Sequence, residues 1–273
     1  MQISRQPGFP ARDKLGLCWL GQAGFWFDTG AHRVLMDPYL SDSLAKKYAG
    51  QTNDHQRMMS APITPEALPE PDIVLVTHAH TDHMDPETLG PLARRFPDLP
   101  FVVPRSKRDL ARERIGLHAN LILVSDQETL SPLSGLTLRV LPAAHETLER
   151  DSDGNAVFLG YGIQTETMTL YHSGDTIPFD GLAEAVHQLS PDIALLPVNG
   201  RDATRLATGI PGNFTLEEAM ALCQDTGIAW MIPHHFGMFA FNTLDEDIID
   251  AATASQSPRL VKPVIGERLK IEL

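Results

Sequence analysis

Cysteine is nearly absent: the 273 residues contain two, Cys18 and Cys223, far apart in the apolar stretches LGLCWLG and AMALCQD. With no CxxC pair there is no zinc ribbon or dithiol site to build, and two isolated thiols in apolar surroundings read as small core residues. Long apolar runs are also missing; none approaches the roughly 20 residues of a membrane-spanning helix. The opening MQISRQPGFPARDK carries prolines and charges where a secretory leader has an uninterrupted apolar stretch, so the expectation is a cytoplasmic protein with no membrane association. Basic residues number 22 against 35 acidic ones, a net charge of −13 that repels the phosphates of nucleic acid. The one basic cluster, Arg94, Arg95, Arg105, Lys107, Arg108, Arg112 and Arg114, is interleaved with Asp98, Asp109 and Glu113 and reads as a solvated helical face.

What is present is the alternation of short β-rich runs with amphipathic stretches. LGLCWLG, GFWFDTG, HRVLMDPYL, DIVLVTH, PFVVPR, NLILVSD, LTLRVLPAAH, VFLGYGIQT, MTLYHSGD, DIALLPVNG and WMIPHHFG read as strands with their exits. DPETLGPLARRF, SKRDLARERIG, FDGLAEAVHQL, TLEEAMALCQDTG and LDEDIIDAATAS carry helical spacing, with start signals such as Asp85 followed by Pro86 and stops at Gly116 and Gly227. The pattern predicts an α/β protein of one large domain or two small ones, with two sheets packed together and helices outside. Residues 41–70 hold few strand signals and form a partly helical excursion, a length that in compact domains often serves as a substrate lid.

The densest chemistry lies in VLVTHAHTDHMD, residues 74–85, where three histidines and two aspartates fall within eight residues after an apolar β-branched run. Residues two apart at a strand exit project to one side, so His78 and His80 can face one ion while Asp82 and His83 follow in the turn. Other candidates occupy equivalent places: His145 follows LTLRVLPAA, Asp175 ends MTLYHSGD, and His234 and His235 end the strand of WMIPHHFG. Donors at several strand exits converge on one edge, and nitrogen and oxygen donors without sulfur suit Zn²⁺, Mn²⁺ or Fe²⁺. Asp37, after RVLM, is placed to hold a ligating imidazole by its second nitrogen or to serve a turn before Pro38. Asp85 reads as a helix cap. His172 buttresses the site or belongs to the core. Asn199 and Arg201 flank a glycine after IALLPV, where Arg201 is either a two-pronged anion clamp or a solvated side chain. His32, His55, His118 and His187 have no partners at useful spacing and read as surface residues.

The sequence resembles the metallo-β-lactamase-fold superfamily, whose HxHxDH signature stands here as His78, His80, Asp82 and His83. The resemblance covers nearly the whole chain and implies an α/β four-layer αββα sandwich, two mixed β-sheets with outer helices, as a single domain over residues 1–273. It implies His78, His80 and His145 on one metal, Asp82, His83 and a late histidine on a second, and Asp175 bridging. The P-x-H-x-G-x-F context formed by Pro233, Gly237 and Phe239 selects His235 as that late histidine and leaves His234 as a supporting or substrate contact. LYHSGDT, PDIALLPVNGR and MIPHHFGMF look most like the branch containing L-ascorbate-6-phosphate lactonase, some members of which lack the third-motif histidine that His145 supplies here.

Two divalent ions roughly 3.5 to 4 Å apart lower the pKa of a bridging water until hydroxide exists at neutral pH, so no serine or cysteine nucleophile is needed. That agrees with the absence of a GxSxG elbow. The expected activity is hydrolysis of a small-molecule ester, lactone or phosphoester, with one or two bound ions, Asp82 and His235 in catalytic roles, and self-association compatible with the sequence. Alternatives are a phosphodiesterase or nuclease of the same fold, a di-iron oxidoreductase, and a non-catalytic metal-stabilised binding protein. The runner-up architecture is the TIM-barrel amidohydrolase, which also opens with HxH at a strand exit.

Overall fold

The computed structural model describes residues 1–9 and 14–273; residues 10–13, within the proline-bearing opening segment, lie outside the described residues. The chain divides into two compact units, one of Met1–Leu123, Gly237–Phe241 and Pro263–Leu273, the other of Val124–Phe236 and Asn242–Lys262.

The first unit is built on an eight-stranded mixed sheet. Its strands are β1 (Gln2–Pro7), β2 (Gly16–Gly21), β3 (Gly24–Asp28), β4 (Arg33–Met36), β5 (Ile73–Leu75), β6 (Pro100–Pro104), β7 (Asn120–Val124) and β15 (Glu267–Glu272), in the order β1-β15-β2-β3-β4-β5-β6-β7. The hairpin β2–β3 and the pair β3–β4 are antiparallel, while β4, β5 and β6 run parallel. Helix α1 (Ser43–Lys47) opens the 41–70 excursion, and α2 (Pro86–Arg95) and α3 (Arg108–Ile115) follow β5 and β6. Leu89, Leu92, Ala111 and Ile115 of the last two helices pack with Trp26, Leu35, Val74 and Phe101 of the sheet in one core cluster. Each large apolar side chain removed from water in this way contributes about 1.5–3 kcal/mol.

The second unit carries a seven-stranded mixed sheet of β8 (Thr129–Leu133), β9 (Leu136–Pro142), β10 (Leu159–Gln164), β11 (Thr169–His172), β12 (Ile193–Pro197), β13 (Trp230–His234) and β14 (Arg259–Leu260), in the order β14-β13-β12-β11-β10-β9-β8. Strands β11 to β14 are parallel, and β9 and β10 are antiparallel hairpin neighbours. Because β10 runs against both β9 and β11, the C-terminal ends of β9, β11, β12 and β13 lie on the same sheet edge. Helices α4 (Leu182–Leu189), α5 (Ala203–Ala207), α6 (Leu216–Thr226) and α7 (Glu246–Ala252) belong to this unit. Helix α4 lies so close to β10 that a Cβ on Gly162 would sit 2.4 Å from a Leu189 methyl. The start of α6 is a capping box in which Thr215 and Glu218 satisfy each other's backbone amides.

Among the described residues, no helix is long and apolar enough to cross a membrane. The basic cluster is a solvated face in part, with Arg94, Arg95 and Arg108 exposed, but several of its side chains are tied to the backbone. Arg114 turns inward to donate to the carbonyls of Ala79 (2.6 Å) and Met84 (3.3 Å), Arg95 to that of Pro65, and Arg105 to that of Leu123. The 41–70 excursion is anchored as well. Arg57, its side chain only 7% exposed, donates to the carbonyls of Tyr39, Ser41 and Met59, and Met58 N–H donates to Met238. His55, expected on the surface, is instead half-buried there: its ring stacks on Tyr48 at 4.3 Å and meets Phe239 and Phe241 edge-on. Loss of water around the ring lowers its pKa below the ordinary histidine value.

Candidate metal centre

In the first unit, the parallel pairing of β4 with β5 sets two strand exits side by side, and Asp37 leaves one as Thr77 and His78 leave the other. The Asp37 carboxylate is fully buried and accepts three hydrogen bonds: Thr77 N–H at 2.8 Å, the Thr77 hydroxyl at 2.6 Å and His83 Nδ1–H at 2.7 Å. With its hydrogen given to Asp37, the Thr77 hydroxyl offers its lone pair to His78 Nδ1–H, 3.0 Å away. Both rings therefore carry their proton on Nδ1, which leaves Nε2 as the nitrogen with a lone pair to offer a cation. The His78 and His83 rings lie 3.9 Å apart, those of His78 and His80 4.6 Å apart, and Asp82 Oδ2 is 3.8 Å from His83 Nε2. The HxHxDH turn thus gathers three imidazoles and a carboxylate. Asp85 takes no part: it caps α2 through Glu87 N–H and accepts from the Ser41, Ser43 and Thr88 hydroxyls.

One further side chain joins this group that the sequence reading had not singled out. Gln22, buried in the β2–β3 turn, donates from Nε2 to Asp82 Oδ2 at 2.8 Å. Thr77, likewise unforeseen, is the link through which Asp37 reaches His78.

In the second unit the common edge of β9, β11, β12 and β13 presents His145, Asp175, Asn199 and His235. Asp175 Oδ2 lies 3.1 Å from His235 Nε2 and 3.7 Å from His145 Nε2, so one carboxylate oxygen faces two imidazole nitrogens. His145 Nδ1–H donates to the Gly212 carbonyl at 3.0 Å, which again fixes Nε2 as the inward nitrogen. His172 accepts from Gly174 N–H at 3.0 Å and stacks on His234 at 5.1 Å; both are fully buried and brace the turn that carries Asp175. Asn199 is held by Asn213, Asn242 and Arg205. The Arg201 fork is engaged by both oxygens of Glu218 at 2.6 Å, a structural pairing distinct from both the anion clamp and the solvated side chain that the sequence left open.

The backbone adds an independent mark. Among the described residues, non-glycine positions with positive φ include Asp37 (40°), His235 (60°), Gln22 (51°) and Glu146 (90°), four of six, all at or beside these groups. A conformation costing on the order of 1–3 kcal/mol persists where the surroundings enforce it, and such positions gather at working sites. Neither cysteine competes for the role, since burial pushes both thiols up to about 12.

A family model described as the beta-lactamase superfamily domain matches residues 32–236, which include every candidate ligand. The chain belongs to the beta-lactamase superfamily. Among relatives within it, a protein named UPF0173 metal-dependent hydrolase from Methanosphaerula palustris is 28% identical over 244 residues, covering 86% of this chain and 90% of the relative. The solved isothiocyanate hydrolase from Delia radicum gut bacteria aligns with a TM-score of 0.76 at 18% identity, over 95% of this chain and all of that one. CmlA, a diiron β-hydroxylase from Streptomyces venezuelae, aligns with a TM-score of 0.68 at 18% identity over 96% of this chain and 55% of its own. These likenesses establish the superfamily's α/β architecture of two mixed sheets with helices, and the TIM-barrel alternative falls away.

Proposed function

We propose that this superfamily member is a metal-dependent hydrolase of small-molecule esters, lactones or phosphoesters, resembling L-ascorbate-6-phosphate lactonase. In this reading His78, His80 and His145 hold one divalent ion, Asp82, His83 and His235 a second, and Asp175 lies between them. The observation that carries it is the tautomer pattern: His78, His83 and His145 each bind Nδ1–H to a fixed oxygen, so the same nitrogen, Nε2, is offered three times. A purely structural histidine has no need of that uniformity. The donors fit Zn²⁺, Mn²⁺ or Fe²⁺, all of which accept imidazole and carboxylate.

Divalent ions held there would supply Lewis acidity and an activated water at neutral pH. The chain's own residues do the rest. Asp37 keeps His83 and, through Thr77, His78 in the ligating tautomer. Asp82, whose side chain is 16% exposed while His83 is fully enclosed, is the carboxylate that can take the proton released by the attacking water and return it to the departing oxygen. His234, stacked on His172, supports His235. Asn199 shapes the neighbouring loop, and Arg201 serves that loop through Glu218. The working protein is cytoplasmic, takes a small molecule rather than nucleic acid or membrane, and is free to self-associate.

The test is metal analysis of protein purified without chelator, then hydrolysis assays over lactones, carboxylic esters and phosphodiesters with His78→Ala as control. Bound metal and an activity lost in the variant are expected. Absence of metal, and of turnover with added Zn²⁺, Mn²⁺ or Fe²⁺, ends the proposal.

A further inference from the structure

We infer that Gln22 is a positioning residue for Asp82, fixing the carboxylate that serves one ion of the proposed centre. The inference rests on the metal reading above and deepens it.

Gln22 sits in the tight turn between β2 and β3, far from the histidine motif in sequence. It is fully buried and held at φ 51°. One hydrogen bond and close packing on either side hold that turn. The Trp19 indole N–H donates to the Gln22 carbonyl at 2.9 Å, a Cβ on Gly21 would meet the Met238 methyl at 2.7 Å, and a Cβ on Gly24 would come within 3.1 Å of the Asp37 carbonyl oxygen. The turn therefore presses against the segment that carries Asp37 and cannot slide. Its side chain donates from Nε2 to Asp82 Oδ2 at 2.8 Å.

The chemistry of that bond explains why an amide is suited to the place. A neutral N–H stabilises the ionised carboxylate without cancelling its charge, where Lys or Arg would compete with a cation for it. With Oδ2 held, the rotation of the carboxyl group is fixed and Oδ1 is aimed reproducibly. Asp82 stands half-buried in a short turn before α2 begins, and Gln22 ties its carboxylate to the β2–β3 turn.

Wild type, Gln22→Met and Gln22→Asn are titrated with Co²⁺ in the metal-free protein, with visible absorption reading ligand geometry and circular dichroism reading the fold. Met keeps the length but has no donor; Asn tolerates positive φ but is one methylene too short. Both variants are expected to bind the Asp82-dependent equivalent of cobalt about 10- to 100-fold more weakly, with an altered spectrum. Adding Gln22→Met to Asp82→Ala should cost little more than Asp82→Ala alone, because the amide acts only through that carboxylate. If wild type binds cobalt and both folded variants match it in affinity and spectrum, the role of Gln22 is refuted and the metal reading stands. If wild type takes up no cobalt, the metal reading fails and the inference falls with it.

Discussion

Asp37 shows how much a single atom type can decide. Its two oxygens face donors on every side: Thr77 N–H on one, the Thr77 hydroxyl and His83 Nδ1–H on the other. Asparagine has nearly the same shape, but with its oxygen kept for Thr77 N–H its amide nitrogen would face His83. That ring would then turn its lone pair to Nδ1 and carry its proton on Nε2, the position a cation needs. Asp37→Asn is therefore expected to weaken metal binding about 10- to 100-fold while the protein stays folded, measured by titration of the metal-free variant. Equal affinity in the two proteins would show that His83 does not ligate through Nε2. The HxHxDH group was legible in the sequence because its members are neighbours along the chain. What orients them was not: Gln22 reaches Asp82 across 60 positions and His145 reaches Gly212 across 67. An ordinary glutamine or glycine carbonyl carries no local pattern that announces such a bond.

The elements divide along the same line. Strands β2 to β7 and β9 to β13 have continuous apolar or alternating cores and could be placed from periodicity. Strands β1 and β15 could not, since QISRQP and ERLKIE are mostly polar and become strands by pairing with each other from opposite ends of the chain, Gln2 with Glu272 and Pro7 with Glu267. Strand β14 is two residues long, below any detectable period. Helix α2 was readable from its spacing and its cap, and that cap has a second task. Asp85 also accepts from Ser41 and Ser43, tying the excursion to the first turn of the helix. Asp85→Ala removes the cap and leaves buried hydroxyls without their acceptor, a loss of about 1–3 kcal/mol in urea unfolding. Proteolysis should then cut within residues 41–60 faster than in the wild type. An unchanged cleavage rate would mean that Arg57 and the aromatic packing around His55 suffice to hold the excursion.

At the scale of the whole chain the net charge of −13 decides among hydrolytic substrates. Exposed charges act over roughly a Debye length, about 8 Å at physiological salt, so a polyanion could still bind if a local basic surface faced it. The basic cluster offers little of that kind. Arg114, Arg95 and Arg105 are drawn onto backbone carbonyls, burial lowers the pKa of Arg114, and Asp109 and Glu113 lie on the same helix as Arg108 and Arg112. A small phosphodiester needs only the reacting centre, whereas a duplex needs several phosphates neutralised at once. The metal-loaded protein should therefore hydrolyse, if any phosphodiester, a compact one such as bis(p-nitrophenyl) phosphate, and should leave duplex DNA uncut and unretained at 150 mM salt. Gel-shift titrations at two salt concentrations, run beside the small-substrate assay, separate the cases. Binding that weakens steeply with added salt and accompanies strand cleavage would transfer the substrate assignment to nucleic acid, and would require a cationic surface outside the α2–α3 region.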